Sequence, residues 1–172
     1  MEATDIRSNI IEIIQKLRIY GHWMLDNLTP LELTWLPKDT NAQTITDYFR
    51  HIINAEIFWL KHLGDTKFKY EPESEEFTKL LQTYKQLENY LIDRITNTSD
   101  SELAIRLPVY ENDKLLKPGN FSWLVLRTSL HAIHHFGQIA HIRYSLNNPP
   151  NKETRKVTWG EAMDVILKAM LT

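Results

Sequence analysis

Leu130-His131-Ala132-Ile133-His134-His135-Phe136-Gly137-Gln138 decides how this chain is read. Three of the 7 histidines fall within five consecutive residues of a segment, about Phe121 to Leu146, that otherwise patterns as a helix. His131 and His135 are four residues apart, so on a helix they stand one turn above the other on a single face. Two imidazoles placed in this way can hold one divalent metal. His134, three residues after His131, is the alternative partner. Adjacent residues point about 100° apart around a helix, so His134 and His135 do not readily join His131 on one ion. A third ligand has to come from elsewhere, and the candidate is His51, near the middle of another predicted helix. Neutral imidazole suits zinc, nickel, copper and iron. Three protein ligands with one position left for water or substrate is the usual form of a catalytic zinc site.

Working outward, the chain is poor in helix breakers, with 5 glycines in 172 residues. The first helix is predicted from about Asp5 to Asn27 on the apolar spacing of Ile6, Ile10, Ile13, Leu17 and Met24. Pro30 and Pro37 mark the connection after it. The second helix is predicted from Thr44, where Thr44-Ile45-Thr46-Asp47 resembles a capping box with Asp in place of Glu, to a stop at Gly64. The third is predicted after Pro72, with Ser74 as N-cap, through Leu80, Tyr84, Leu87, Leu91 and Ile95. Residues 101–120 break the pattern and read as a crossover, with two short strands turning at Glu111-Asn112-Asp113. Pro108 limits any strand there to an edge or a bulge. Asn147-Asn148-Pro149-Pro150 ends the histidine helix. Thr158-Trp159-Gly160-Glu161 is a capping box opening a short last helix. The expectation is one all-α domain over 1–172, with a four-helix bundle over about 4–147, a linker over 148–157 and a terminal helix over about 158–171 packed outside.

Bulk composition narrows the function. A 42% hydrophobic and 24% charged chain is ordinary for a soluble globular protein. A formal net charge of -2, with the basic residues scattered, argues against a nucleic-acid partner. The absence of cysteine excludes disulfides, thiolate metal sites and a cysteine nucleophile. Asp5, Arg7 and Glu12 interrupt the first apolar residues, so no secretory leader is read, and no apolar run is long enough for a membrane span. The expected location is cytoplasmic.

His51 with Asn54-Ala55-Glu56 and Trp59 resembles the second-helix motif of the DinB/YfiT-like superfamily. Leu130 to Ile139 resembles its fourth-helix motif, in which a histidine, two variable residues and two histidines are followed usually by arginine, then glycine and glutamine. The resemblance implies a bundle with up-down-down-up connectivity and a long crossover between the third and fourth helices. It implies a nickel or zinc ion on His51, His131 and His135, with the remaining positions open to water, and often a homodimer. Relatives include transferases and isomerases that use low-molecular-weight thiols. Two departures stand out. Phe136 replaces the usual arginine, which removes a cation from beside the histidine pair. The tail beyond Pro150 has no counterpart, and it would cover the pocket if it packed over the open end of the bundle.

These readings lead to an expected metal-dependent enzyme, a hydrolase or thiol transferase acting on a small molecule. Glu56 and His134 are the candidates for proton transfer. The competing expectations are a non-catalytic dimeric module that binds a metal or small ligand, and a bundle whose histidines are simply packed and hydrogen-bonded.

Overall fold

The computed structural model describes residues 6–36, 38, 42–70, 76–111 and 114–170. The described chain is all-helical apart from one hairpin. Helix α1 (Ile6–Met24) buries Ile10, Ile13, Ile14, Leu17, Tyr20 and Met24 along one stripe. It ends at a turn in which Asn27 takes φ 53°, the left-handed conformation common after helices. Helix α2 (Pro30–Thr34) is a single short piece. Helix α3 (Ile45–His62) starts at the Thr44–Asp47 capping box, in which the Thr44 hydroxyl accepts from the Asp47 N–H and the Asp47 carboxylate accepts from Thr44 N–H. It is closed by Gly64, whose φ of 78° favours glycine. Helix α4 (Phe77–Thr96) has Glu76 at its N-cap position, without a capping side-chain bond. Pro72 and Ser74 lie outside the described residues, as do Asp5, Pro37, Asn112 and Asp113.

The crossover from α4 to the next long helix contains more structure than its sequence pattern suggests. Helix α5 (Asp100–Ala104) is opened by a capping box between Ser99 and Glu102. Strands β1 (Leu107–Glu111) and β2 (Lys114–Gly119) then pair antiparallel, from Leu107 opposite Gly119 to Glu111 opposite Lys114, with an irregularity between Val109 and Tyr110. A two-stranded sheet consists only of edges, which is why it accommodates Pro108 opposite Pro118. Helix α6 (Phe121–Ser145) follows, capped by the Asn120 side chain. After the proline stop, the Thr158–Glu161 capping box opens helix α7 (Trp159–Met170).

The four long helices pack as a ring. Helix α1 lies against α4 and α6, and α3 lies against the same two. Helices adjacent in the chain, α1 with α3 and α4 with α6, therefore sit across the bundle from each other, and the intervening segments make the crossings. Helix α7 packs on the outside of α1 through buried Val157, Ala162 and Ile166 just before and within it. Trp23 of α1 donates its indole N–H to the Asn151 carbonyl, pinning the linker that leads there. The tail thus adds a layer to α1 rather than a cover over the groove between α3 and α6.

Three polar ties set the ends of the ring. Arg143 of α6, almost fully buried, donates to the carbonyls of Met24 and Asn148 and lies 3.4 Å from Glu32 of α2. Arg7 of α1 reaches the carbonyls of Ile95 and Thr96 and the carboxylate of Asp100. Asp65, after α3, accepts from Tyr90 and Arg94 of α4. The Arg143 and Arg7 bonds thereby give partners to the Met24 and Thr96 carbonyls at the ends of α1 and α4.

One close approach fixes α1 against α4 and α6. A β-carbon at Gly21 would stand 2.6 Å from the Phe136 ring and 2.9 Å from the Tyr84 hydroxyl. Glycine there lets a large aromatic side chain from α6 fill the space that α1 leaves. Gly21→Ala should therefore destabilise the fold by about 1–3 kcal/mol through overpacking, although alanine is the better helix former by about 1 kcal/mol. Urea unfolding checks this, and an alanine variant as stable as the native chain would show that the two helices can separate freely.

Candidate functional site

Helices α3 and α6 carry the site on their facing sides. His51 Nε2 lies 3.0 Å from His131 Nε2, and His135 Nε2 lies 3.1 Å from the same atom. One potential ligand atom from each of the three residues falls within a set whose members are all within 4.8 Å of one another. His51 is exposed and the other two are half-buried, so the cluster sits at the surface end of a groove. Spacing alone left His134 open as the partner of His131. In the structure it is His135 that completes the cluster, and the His134 ring stands beside it at 5.0 Å between centroids.

The donor set fits a metal. An imidazole nitrogen carries either one proton or one lone pair, so His131 Nε2 cannot make good hydrogen bonds to both neighbours at once. A cation shared by three lone pairs removes the conflict. Two nitrogens about 2.0–2.1 Å from one ion at tetrahedral or octahedral angles stand roughly 2.8–3.4 Å apart, which spans both observed separations. His135 Nδ1 lies 2.6 Å from Gln138 Oε1. Donation to that carbonyl oxygen puts the proton on Nδ1 and leaves the Nε2 lone pair facing the cluster. His131 Nδ1 is buried without a hydrogen-bond partner, so its orientation comes from packing. Burial, and then the neighbouring charge of His135 and His51, hold the His131 pKa down at about 4. Burial also lowers that of His135, against the Gln138 hydrogen bond, which raises it. Both imidazoles are therefore neutral near pH 7, the form that binds a metal. Among the described residues, the group contains no fourth histidine, aspartate or glutamate ligand.

The groove opens into a cavity of about 910 Å³ between the two helices. Its walls include Phe58, Trp59, Trp123, Leu126 and Leu130, and its polar lining includes Asn54, Arg127 and His134. Among the described residues, none of the terminal segment lines it, and neither does Glu56. Glu56 lies five residues after His51, about 140° further round the helix. It points into the bundle, 3% exposed, with its carboxylate 2.5 Å from Arg18 of α1. Burial raises its pKa, while the Arg18 charge and hydrogen bond pull the other way. Phe136 is likewise turned inward, fully buried and edge-on to Tyr20.

The structure brings together His51, His131 and His135, sets His134 in the lining of the same cavity, and adds Arg127, which the sequence reading did not single out. The signal was present, because Arg127 precedes His131 by four residues and so shares its face. The guanidinium of Arg127 stacks 4.3 Å from the centre of the Trp59 ring and 5.5 Å from that of Trp123. The partner of Glu56 was also missed, since nothing in the spacing of α3 names a residue on α1.

The structure is thus a helical bundle with a three-histidine cluster, fit for a divalent ion, at the mouth of an aromatic cavity. A family model described as the DinB superfamily matches residues 20–139, which span α1 from Tyr20 to most of α6. The chain belongs to the DinB superfamily. No curated protein matches it.

Two outcomes are expected from this geometry. Glu56→Ala strands a buried guanidinium and should cost about 3–5 kcal/mol of stability in urea unfolding, and it should weaken zinc binding only through the loosened packing of α3, because Glu56 is not part of the cluster. The second concerns pH. The folded-state pKa of His131 lies below its ordinary value of 6.5, so between that value and about 4 the unfolded chain binds more protons. Stability of the chelator-treated protein should therefore fall as pH drops through this window, and the fall should be shallower in His131→Gln. Identical melting curves for the two proteins from pH 7 to 4 would contradict the assigned environment.

Proposed function

We propose that this protein is a metal-dependent enzyme acting on a small molecule, a thiol transferase or a hydrolase, with one nickel or zinc ion held by His51, His131 and His135. The observation that carries the reading is the convergence of three ring nitrogens at a cavity edge with, among the described residues, no fourth protein ligand in the group. That arrangement leaves coordination positions for solvent or substrate, as in catalytic sites rather than closed structural ones. A bound divalent ion would supply Lewis acidity and a lowered pKa for a coordinated water or thiol.

The remaining roles fall to the chain's own side chains. Gln138 fixes the His135 ring. His134 lines the cavity beside His135 and is the side chain placed to carry a proton to or from a bound substrate. Asn54, less than one turn after His51, offers a hydrogen-bonding amide to the same space. Glu56 is committed to Arg18 and takes no proton-transfer role in this reading. In the transferase form of the proposal, the second reactant is a low-molecular-weight thiol, which the cavity volume accommodates.

One observation favours a second reading. Among the described residues, no aspartate or glutamate lines the cavity, so none of them offers a carboxylate base to a substrate. A non-catalytic module that binds a metal or small ligand needs none.

Metal content of the untagged protein, measured by mass spectrometry after reloading, is expected to be about one nickel or zinc per chain, and to be lost in His135→Ala. Chelation should lower the melting temperature of the native protein, since an ion that binds only the folded state stabilises it by mass action. Turnover of thiol conjugates, esters or amides that disappears in His135→Ala would establish the enzyme over the module. Protein that takes up neither metal defeats both metal readings.

A further inference from the structure

We propose that Arg127, with Trp59 and Trp123, forms a subsite for the carboxylate of a small organic anion with an apolar body. The inference rests on the proposed metal site only for the fate of the ligand's other end. Binding at the subsite itself needs the arginine and the two tryptophans.

The charge argument comes first. Among the described residues Arg127 has no carboxylate partner, for it enters none of the ion pairs or side-chain hydrogen bonds found there. Among the described residues, the cavity lining contains no aspartate or glutamate. An arginine that faces a groove without a counter-charge leaves its donors to solvent or to a ligand.

Geometry makes this arginine more than a loose surface cation. Trp59 of α3 and Trp123 of α6 meet nearly edge to face, with centroids 5.4 Å apart and planes at 84°. The Arg127 guanidinium lies over Trp59 and within cation–π range of Trp123. Trp59 is itself buried to 6% exposure, so the platform is fixed. Among the described residues no ion pair or side-chain hydrogen bond takes up the Arg127 N–H donors, and that planar fork matches a carboxylate in two parallel hydrogen bonds. Holding the fork in advance lowers the ordering cost of binding.

The rest of the wall names the body of the ligand. Phe58, Leu126 and Leu130 add apolar surface to the same cavity. Arg127 is one helical turn from His131, a rise of about 6 Å. A ligand whose carboxylate meets Arg127 therefore presents its far end toward the histidine cluster after spanning a few carbon atoms.

Calorimetric titration of the full chain with 4-phenylbutyrate and with the neutral 4-phenylbutyramide tests this, in chelator-treated and in zinc-loaded protein. The carboxylate is expected to bind tighter than the amide by on the order of tenfold in both forms, as a charge-assisted pair requires. Arg127→Met should abolish the preference while zinc uptake and melting temperature stay as in the native protein. Equal binding of the two probes, no measurable binding of either at millimolar concentration, or an undiminished preference in Arg127→Met would overturn the subsite. A preference that appears only with zinc and survives in Arg127→Met would place the anion on the metal and also reject it. A preference that depends on Arg127 in protein unable to take up either zinc or nickel would sustain the subsite and defeat the proposed metal reading instead.

Discussion

Arg18 and Glu56 face each other at 2.5 Å inside the bundle, each almost wholly removed from water. Burying a charge is costly unless it is paired, so this contact constrains how α1 can lie against α3. A shifted packing would strand one ion, at a cost comparable to much of the stability of an ordinary domain. Tyr84 of α4 joins the pair, with the Arg18 guanidinium 3.7 Å from its ring centre. Charge thus fixes three helices of the ring. The fourth, α6, is set by shape, where Phe136 fills the space left by Gly21.

The consequence for the site lies on the opposite side of α3. Because Glu56 must point inward, His51 is turned outward toward α6, about 140° away round the same helix. There it meets His131 and His135, which are themselves oriented by the inward side chains of α6. Ala132, Phe136 and Ile139 are all fully buried, and their positions leave the two histidines on the flank that faces α3. The three ring nitrogens converge because two helices are anchored by their other faces. Gln138 then fixes one of those rings, and Tyr48 of α3 packs 5.6 Å from the same imidazole.

Much of this was legible in the residues, and the reasons differ from element to element. The His131–His135 spacing, the Thr44 and Thr158 capping boxes and the Gly64 stop are local signals, so their geometry follows from neighbours in the chain. The short helices α2 and α5 are a different case. Thr29-x-x-Glu32 and Ser99-x-x-Glu102 are capping boxes of the ordinary kind, and both form in the structure. They were passed over because Pro30 and the polar run after Ile95 read as breaks, although proline is well placed at the first position of a helix. What the chain could not disclose is tertiary. The partner of Glu56 lies 38 residues away on α1, and the platform under Arg127 is made by a tryptophan on another helix.

Position 136 shows how such tertiary choices bear on function. The fourth-helix motif usually carries arginine there, and its replacement suggests a site poorer in positive charge. In this chain the position faces the core, where Phe136 and the Tyr84 hydroxyl meet over Gly21 and the guanidinium of Arg18 lies on the Tyr84 ring. The core cation is thus supplied by α1, and phenylalanine takes up the volume. The groove has its own cation in Arg127, set against two aromatic rings and, among the described residues, without a carboxylate partner. The two guanidiniums serve opposite ends. One is neutralised and buried, so that it secures the register on which the histidine cluster depends. The other stands beside that cluster without a carboxylate partner among the described residues, and the proposed subsite would draw on its charge.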